Sequence, residues 1–467
     1  MSRERTLGKN IAFMTIGNFA SKFLSFLLIP LYSSVLTTGE YGTADIISTT
    51  ITLLSPVLTL QINEAVIRFC LDKSVNRDAV ISNGTIIVFI GTVALSLMTP
   101  IFQRIETIRP YYVLFLLQYA TSAFYTLFSQ YTKGIDKVRV FSTAGLINTV
   151  FVILSNLVLL LLLRLGIKGY ILSFVIGHVI ATIYLVVSTK VWQHIHFSSV
   201  SKSTLRNMLK YSLPMIPNSI SWWITNSSDK YMITFIVGVA ANGLYSMAYK
   251  IPSLLSTVSG IFMSAWNISA VEDFGTNESR HFYERVYSML SCLDALLVSA
   301  LVCVAEFLAH FLYANDFFIA WKYSIVLLMG FMFSSLSSFL GSIYTASKRT
   351  VPLFYTSIMG AGLNILLNAL LIPKRGVLGA AIATTASYIF VWAIRLVHTK
   401  KILVFKACRW HNLFSGLMII IQIFAMYSDI PGNFYISIGC FFSVCIASRK
   451  FIWGTMKMVR KKLLLGR

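Results

Sequence analysis

Long apolar runs separated by short polar breaks dominate the chain and constrain its fold more than any other feature. A helix needs about 20 mostly apolar residues to cross a hydrocarbon core of about 30 Å. Fourteen runs meet this requirement, and they lie at 11–36, 42–66, 81–102, 111–131, 140–163, 169–191, 213–239, 241–267, 286–311, 321–344, 351–372, 376–399, 410–427 and 434–453. The predicted fold class is therefore all-α, a polytopic membrane protein with about 14 transmembrane helices.

The composition excludes a water-soluble enzyme. Of 467 residues, 56% are hydrophobic and 12% are charged, whereas soluble domains have about 45–50% apolar and about 25% charged residues. Lys and Arg number 39 against 17 Asp and Glu, a formal net charge of +22. Because the basic residues lie between apolar runs, this excess predicts contact with anionic membrane lipids and not with nucleic acid.

The distribution of basic residues predicts the topology. With the N-terminus in the cytoplasm, the cytoplasmic tails and loops carry 28 Lys and Arg and the opposite side carries 7. The positive-inside rule gives this asymmetry when the number of spans is even and both termini are cytoplasmic. Four basic residues lie inside predicted spans, namely Lys22, Lys230, Lys250 and Arg395.

Motifs for catalysis or metal binding are absent from the sequence. The six cysteines are scattered and the seven histidines lack ligand spacing, which argues against disulfides and a metal site. There is no Gly-rich phosphate loop, no nucleophile–base motif and no large outer loop of the kind that a repeat-unit polymerase needs. We expect no enzyme activity and no cofactor, with energy from an H⁺ or Na⁺ gradient or from consumption of the product.

An internal repeat divides the chain. Gly166-Ile167-Lys168-Gly169 opens the sixth span, and Gly376-Val377-Leu378-Gly379 opens the twelfth, 210 residues later. A second similarity relates residues 40–45 to residues 242–250, since each segment follows a long predicted helix through a tight turn. The predicted domains are an N-terminal six-helix lobe at 1–195, a cytoplasmic linker at 196–212, a C-terminal six-helix lobe at 213–400, and two additional helices with a basic cytoplasmic tail at 401–467.

Several motifs together resemble the polysaccharide transporters of the MOP superfamily, in its O-antigen flippase (Wzx-like) branch. They are Gly17-Asn18, Ser21-Lys22, Pro30-Leu31-Tyr32, Glu40-Tyr41-Gly42, Asp229-Lys230-Tyr231, Gly243-Leu244-Tyr245, Asn364 with Asn368, and Gly376-Val377-Leu378-Gly379. The matches cover about residues 7–395 in the expected order. The resemblance implies a MATE-like (MOP) fold.

The same resemblance implies a transport function. It suggests a flippase that translocates undecaprenyl-pyrophosphate-linked oligosaccharide repeat units, for O-antigen of lipopolysaccharide or a similar surface polysaccharide, across the bacterial plasma (inner) membrane by alternating access. Further candidate partners are the polysaccharide polymerase and the chain-length regulator. Two alternatives stay open: a multidrug/cation antiporter of the same superfamily, which usually needs an acidic cavity, and a lipid II flippase, whose Arg-Asp pair would fall at Leu28-Ile29.

A pyrophosphate headgroup that crosses the apolar core needs a polar cavity with basic residues. Lys22 lies about 16 Å into the first span, and Asn18 shares its helix face. We expect these two residues to line a net-positive cavity between the lobes. The alternative is a lysine that reaches the interface or forms a structural pair.

Further candidates lie in the C-terminal lobe. Asp229 ends a polar face of the seventh span that includes Trp222, and it could pair with a base, titrate with a proton or hold two helices together. Lys230 points about 100° away from it. Lys250 and Asp294 lie about 12–14 Å into their helices, with a cavity role and a structural pair equally open. Trp222, Trp223 and Trp266 are candidates for stacking on sugar rings, and Glu64 with Arg68 is expected to form a surface pair.

Overall fold

The computed structural model describes residues 26–72, 74–272, 279–347, 349, 351–403, 410–428, 430–449 and 453. Within these residues every regular element is a helix and no strand occurs. The helices are α1 (Ile29–Val35), α2 (Thr38–Leu58), α3 (Ile62–Leu71), α4 (Arg77–Leu97), α5 (Thr99–Phe102), α6 (Tyr112–Gly134), α7 (Val138–Asn156), α8 (Gly166–Thr189), α9 (Lys202–Ser212), α10 (Ile216–Ile236), α11 (Val239–Ala248), α12 (Lys250–Glu272), α13 (Ser279–Leu312), α14 (Ala320–Ala346), α15 (Val351–Thr399), α16 (Trp410–Tyr427) and α17 (Asn433–Ala447).

The prediction of an all-α polytopic membrane protein is confirmed. Six described helices are long and apolar enough to cross a membrane, and the number is seven if the bent pair α2 and α3 is counted as one span. Two shorter apolar helices lie at Asn412–Tyr427 and Asn433–Ala447. Every predicted span from residue 42 onwards coincides with helix in the described residues, while the total of fourteen spans stays a prediction.

The chain divides into two compact units, Met1–Tyr231 and Met232–Arg467. The division falls inside α10 and not in the predicted linker at 196–212. Most of the seventh predicted span thus packs with the first unit. The functional lobes proposed from the repeat keep their predicted bounds of 1–195 and 213–400, because a division by packing does not test them.

The first unit has a core between α2, α3, α4, α6 and α8. Ile47, Val66, Val88, Tyr119 and Leu127 from these helices are fully buried. Helix α2 begins with a capping box, in which Thr37 Oγ1 accepts the backbone N–H of Glu40 at 3.2 Å and Glu40 Oε2 accepts that of Thr37 at 2.9 Å. This reciprocal cap satisfies two backbone donors that the helix itself cannot satisfy.

The segment expected to be a linker is mainly the helix α9. Its N-cap residue Ser201 accepts a backbone hydrogen bond from Thr204, and the Ser201 carbonyl accepts Asn83 Nδ2 at 3.2 Å. Met208 is fully buried, because α9 packs on α3 and α4. Just before it, His194 Nδ1 lies 2.7 Å from Asp78 Oδ1. The segment therefore belongs structurally to the first unit.

The two Gly-x-x-Gly motifs of the repeat adopt matching conformations. The first glycine of each, Gly166 and Gly376, has a positive φ of 53° and 55°, a region that residues with a Cβ rarely occupy. The second glycine packs against the preceding helical segment. A Cβ on Gly169 would lie 3.1 Å from the Leu159 carbonyl oxygen, and one on Gly379 would lie 2.4 Å from that of Leu371. The repeat seen in the sequence thus has a common backbone geometry.

The second unit is organised around α14, which packs against α12, α13 and α15. Trp266 is buried here, stacks on Phe339 with ring centroids 4.6 Å apart and donates Nε1–H to Ser342 Oγ at 2.7 Å. Asn364 and Asn368 are bonded to each other at 2.9 Å, and Asn364 donates to Thr384 Oγ1 at 3.3 Å across the kink of α15. These residues have packing roles.

The terminal pair α16 and α17 is attached to α13 by one buried amide. Gln422 Oε1 accepts the hydroxyl of Ser299 at 2.8 Å, and Gln422 Nε2 donates to the Ser299 carbonyl at 2.9 Å. The same Nε2 donates to Ser437 Oγ at 2.8 Å. All three side chains are fully buried, so the network fixes the two additional helices to the second unit.

Candidate functional site

The polar face of α10 lies along α2 and the bend that follows it, within the first unit. We call this contact the polar seam. It consists of Asp45, Thr49, Thr50 and Gln61 on one side and of Ser219, Trp223, Lys230 and Tyr231 on the other. Such a face is expensive in lipid, so it is stable only where protein or water covers it.

An ion pair occupies one end of the polar seam. Lys230 Nζ lies 2.9 Å from Asp45 Oδ1, and the two side chains are 18% and 19% exposed. Placing an ionisable group inside the membrane costs free energy, so such a residue is a candidate functional residue. Asp229 is buried at 3% exposure, and its Oδ1 accepts the backbone N–H of Lys230 at 2.9 Å. The ammonium group of Lys230 thus contacts Asp45, while the Asp229 carboxylate accepts the backbone N–H of Lys230.

Neutral hydrogen bonds fill the rest of the polar seam. Trp223 donates Nε1–H to the Thr49 carbonyl at 2.9 Å and packs edge-on against the Tyr231 ring. The Tyr231 hydroxyl is hydrogen-bonded to Thr50 Oγ1. At the other end, Gln61 Nε2 donates to Ser219 Oγ. These contacts place polar groups along about 12 residues of α10, or roughly 18 Å of helix.

The Gln61 contact lies at a break in the backbone. Gln61 and the preceding Leu60 have φ values of 51° and 50°, and the axes of α2 and α3 meet there at 57°. Left-handed conformations of residues with a Cβ cost of order 1–3 kcal/mol and concentrate at functional sites. The bend turns the Gln61 side chain towards Ser219, so the strained segment is part of the polar seam.

The structure brings together some of the predicted site residues. Lys230 forms the ion pair with Asp45, and its chain neighbour Asp229 lies beside this pair. As the sequence predicted, Lys230 and Asp229 point in different directions. Trp222 is 64% exposed and takes no part in the polar seam, because it lies about 100° around the helix from Trp223. Its stacking on a sugar ring stays a prediction.

The other predicted residues lie elsewhere. Lys250 begins α12 and is half-buried. Asp294 is fully buried in the second unit, and its Oδ1 accepts the hydroxyl of Ser259 at 3.1 Å. Lys22 and Asn18 lie outside the described residues, so their cavity role stays a prediction.

Two expectations from the sequence need correction or completion. Glu64 and Arg68 do not form the expected pair: Glu64 Oε1 accepts Gln130 Nε2 at 3.3 Å, and Arg68 is exposed. A surface pair gains little free energy, so the side chain that faces Glu64 from α6 is preferred. Asp45 and Gln61 were not among the predicted site residues. Asp45 could have been identified as a candidate from the sequence, because it places a carboxylate three residues inside a predicted span.

Comparison with protein families gives a match over more than half of the chain. A family model described as "Polysaccharide biosynthesis protein" matches residues 7–267. Two uncharacterized membrane proteins of Methanocaldococcus jannaschii, MJ1375 and MJ1068, are 25% and 24% identical over 282 and 248 residues, or 56% and 50% of this chain. The matched regions span 65% and 46% of the lengths of these relatives.

Solved structures with the same fold include a lipid flippase and two transporters of the MOP superfamily. The lipid II flippase MurJ, in an inward closed conformation, gives a TM-score of 0.72 at 16% identity, over 94% of this chain and 99% of that one. An inward-facing MATE multidrug transporter of the MOP superfamily gives 0.60 at 14% identity, over 81% and 94%. A MOP superfamily transporter from Pyrococcus furiosus, described by the reverse polarity of its binding pocket, gives 0.55 at 14%, over 84% and 94%. The predicted MATE-like (MOP) fold is confirmed.

Proposed function

Because the chain belongs to the polysaccharide biosynthesis protein family, we propose that it is a flippase for lipid-linked oligosaccharides. The substrate would be an undecaprenyl-pyrophosphate-linked repeat unit of O-antigen or of a similar surface polysaccharide. Its polyprenyl tail stays in the bilayer while the pyrophosphate and the sugars cross through the protein. The ionisable residues deep in the predicted spans include three lysines, Lys22, Lys230 and Lys250, against Asp229 and Asp294. This small basic excess suits a phosphate-bearing cargo better than a cationic drug.

The observation that carries this proposal is the Asp45–Lys230 ion pair in the polar seam. A lysine ammonium is a compact charge that binds phosphate as readily as carboxylate. The pair is about one-fifth exposed, so that an incoming anion can compete with Asp45. Lys230 would then exchange the Asp45 carboxylate for the phosphate of the substrate. Its positive charge would be paired with a negative charge throughout, which avoids the cost of an unpaired charge in a medium of low dielectric constant.

This exchange would link binding to movement. With Asp45 released, the polar seam between α2 and α10 loses this ion pair and keeps its neutral hydrogen bonds, each worth about 0.5–1.5 kcal/mol. In the predicted topology the ion pair lies in the outer half of the seventh span and the Gln61–Ser219 contact in the inner half. Breaking the pair would therefore favour separation of the two helices on the outer side, as alternating access requires.

The proposal includes a location and partners. The protein would lie in the plasma (inner) membrane with both termini in the cytoplasm, beside the polymerase and the chain-length regulator that use its product. The fold neighbours bind different cargoes, and lipid II is the one named for MurJ. Leu28 and Ile29, where an Arg-Asp pair of that kind of flippase would fall, are buried apolar residues at 5% and 1% exposure, which argues against lipid II here.

Deletion of the gene in its own host tests the proposal. We expect loss of surface polysaccharide and accumulation of lipid-linked repeat units on the cytoplasmic side, with restoration by the wild-type chain. Lys22→Ala should fail to restore the polysaccharide at unchanged membrane abundance, while Lys22→Arg, which keeps the charge, should restore part of it. Changed drug resistance with normal surface polysaccharide would favour the antiporter, and accumulation of lipid II would favour peptidoglycan precursor transport.

A further inference from the structure

Asp294 is a buried carboxyl group that the exchange at Lys230 does not use. It lies near the middle of α13, 15 residues after Ser279 and 18 before Leu312, and its exposure is 0%. Its Oδ1 accepts the hydroxyl of Ser259 from α12 at 3.1 Å, and Ser335 of α14 faces the same carboxyl group. In the described part of the chain, no hydrogen bond of ordinary geometry reaches Asp294 Oδ2 or Ser335 Oγ, although Ser335 lies close enough to act on the carboxyl group as a donor.

The helices that pack against α13 place no charge at this carboxyl group. In α16 and α17 there is no Asp, Glu, Lys or Arg. On α12 the charged residues are Lys250 and Glu272 at its two ends, and on α14 the one charged residue is Lys322. Lys250 is 9 residues from Ser259 and Lys322 is 13 from Ser335, or roughly 13 and 19 Å along their helices. The two serine hydroxyls are therefore the groups that face Asp294 in the described residues.

An ionised carboxylate in such an enclosed site needs a compensating positive charge. Hard metal ions take about six or more oxygen ligands, whereas this site offers two carboxyl and two hydroxyl oxygens. A proton needs one acceptor. When Oδ2 carries it, the new O–H can donate to Ser335 Oγ, and in the ionised state the Ser335 hydroxyl can donate to Oδ2 instead. The site can therefore keep its hydrogen bonds in both states, and the proton supplies the missing charge.

We propose that Asp294, with Ser259 and Ser335, forms a proton-binding site in the second unit and that a proton taken up there drives transport. The proton comes from water on one side of the membrane, binds Oδ2, and leaves to water on the other side, so that no other reactant is consumed. Ser259 donates to Oδ1 in both states. The role as driving ion rests on the proposed flippase function, while the proton site itself does not.

Infrared spectroscopy of the purified protein in lipid vesicles tests the site directly. We expect a protonated-carboxyl C=O band that changes with pH in the wild type and in Glu306→Gln, a half-buried acid on the same helix. The band should be lost in Asp294→Asn. Ser335→Ala, which keeps the carboxyl group, should shift the band because the hydrogen bond is lost. Identical spectra in all four proteins, or a band that Na⁺ removes at constant pH, would overturn the proposal.

Transport under an imposed gradient tests the coupling. In vesicles loaded with lipid-linked oligosaccharide, a pH gradient should accelerate wild-type and Glu306→Gln flipping by at least tenfold. Asp294→Asn, at unchanged abundance in the vesicles, should lose this acceleration. Acceleration by a Na⁺ gradient alone, or an Asp294→Asn variant that still responds to pH, would refute proton coupling at Asp294. A wild type without any flipping would instead refute the flippase function, and the infrared result would still decide whether the proton site exists.

Discussion

Lys230 Nζ lies 2.9 Å from Asp45 Oδ1, which joins two residues 185 positions apart in the chain. The pair connects the second predicted span to the seventh, the first span of the predicted C-terminal lobe. Opposite charges this close and about one-fifth exposed are held more strongly than a surface pair and less permanently than a buried one. This intermediate strength suits a contact that forms and breaks in a cycle.

A double-mutant cycle on this pair should give a measurable coupling. Asp45→Ala and Lys230→Ala each leave one charge without its partner, and together they should cost less than the sum of the two. We expect a coupling free energy of about 0.5–3 kcal/mol, measured by denaturant or thermal unfolding in detergent. Lys210→Ala, an exposed lysine of α9, serves as the control and should show no coupling with Asp45→Ala.

The reversed pair separates stability from transport. Asp45→Lys combined with Lys230→Asp should recover part of the stability that each single reversal loses. It should remain impaired in flipping, because the ammonium group has moved to α2. If the two single variants and the double variant unfold alike, the contact has no energetic role and the exchange proposed for Lys230 is wrong.

Two adjacent tryptophans provide a matched comparison on α10. Trp223→Phe removes the donor that bonds the Thr49 carbonyl at 2.9 Å and should lower the free energy of unfolding by about 0.5–1.5 kcal/mol, because one hydrogen bond is lost while the carbonyl keeps its bond within the helix. Trp222→Phe changes a side chain that is 64% exposed and should leave stability nearly unchanged. Equal effects of the two substitutions would show that this bond does not stabilise the polar seam.

The fold was largely predictable from the sequence, since apolar runs of membrane-spanning length and a biased charge distribution are local properties of the chain. The breaks inside spans were harder to predict. The bend at Gln61 has no glycine or proline at the break itself, and a π-helical turn at Leu157–Leu162 interrupts a continuous apolar run. Both depend on packing against other helices, which periodicity does not describe.

The glycines of the repeat should differ in their tolerance of a methyl group. Gly379→Ala would place a Cβ 2.4 Å from the Leu371 carbonyl oxygen, whereas on Gly169 the nearest atom is at 3.1 Å and on Gly362 nothing lies within 4 Å. We therefore expect Gly379→Ala to reduce folded yield and thermal stability strongly, Gly169→Ala moderately, and Gly362→Ala not at all. Size-exclusion profiles in detergent and melting temperatures would give the order, and a Gly362→Ala variant as unstable as Gly379→Ala would contradict the packing described here.

The hydrogen bonds of Gln422 should contribute measurably to the stability with which α16 and α17 pack on α13. Gln422→Leu preserves much of the volume and removes every hydrogen bond to Ser299 and Ser437. The buried partners left behind should lower the free energy of unfolding by about 1–3 kcal/mol. Gln193→Leu, at an exposed position, is the control. A neutral Gln422→Leu would mean that α16 and α17 dock through apolar packing alone.

The candidate site was only partly predictable. The 3–4 spacing of polar residues on the seventh span predicted a polar face that ends in Asp229, with Lys230 about 100° away, and the role of both residues in a cavity stays a prediction. The spacing could not identify Asp45, because the partner of a buried charge is fixed by tertiary packing and not by nearby sequence. Asp294 was a candidate for the transport cavity, yet the structure encloses it between two serines, an environment that only the packing of three helices creates.

Transport of a lipid-linked oligosaccharide by the purified protein tests the proposed function most directly. Vesicles that contain the protein and an undecaprenyl-pyrophosphate-linked oligosaccharide on one leaflet can be probed with an enzyme or lectin that reaches the other leaflet alone. We predict that the wild type exposes the oligosaccharide to the probe, that Lys230→Ala slows this transfer at least tenfold, and that Lys210→Ala does not. If wild-type vesicles expose no more oligosaccharide than protein-free vesicles, under either a pH or a Na⁺ gradient, the chain is not a flippase for this class of lipid.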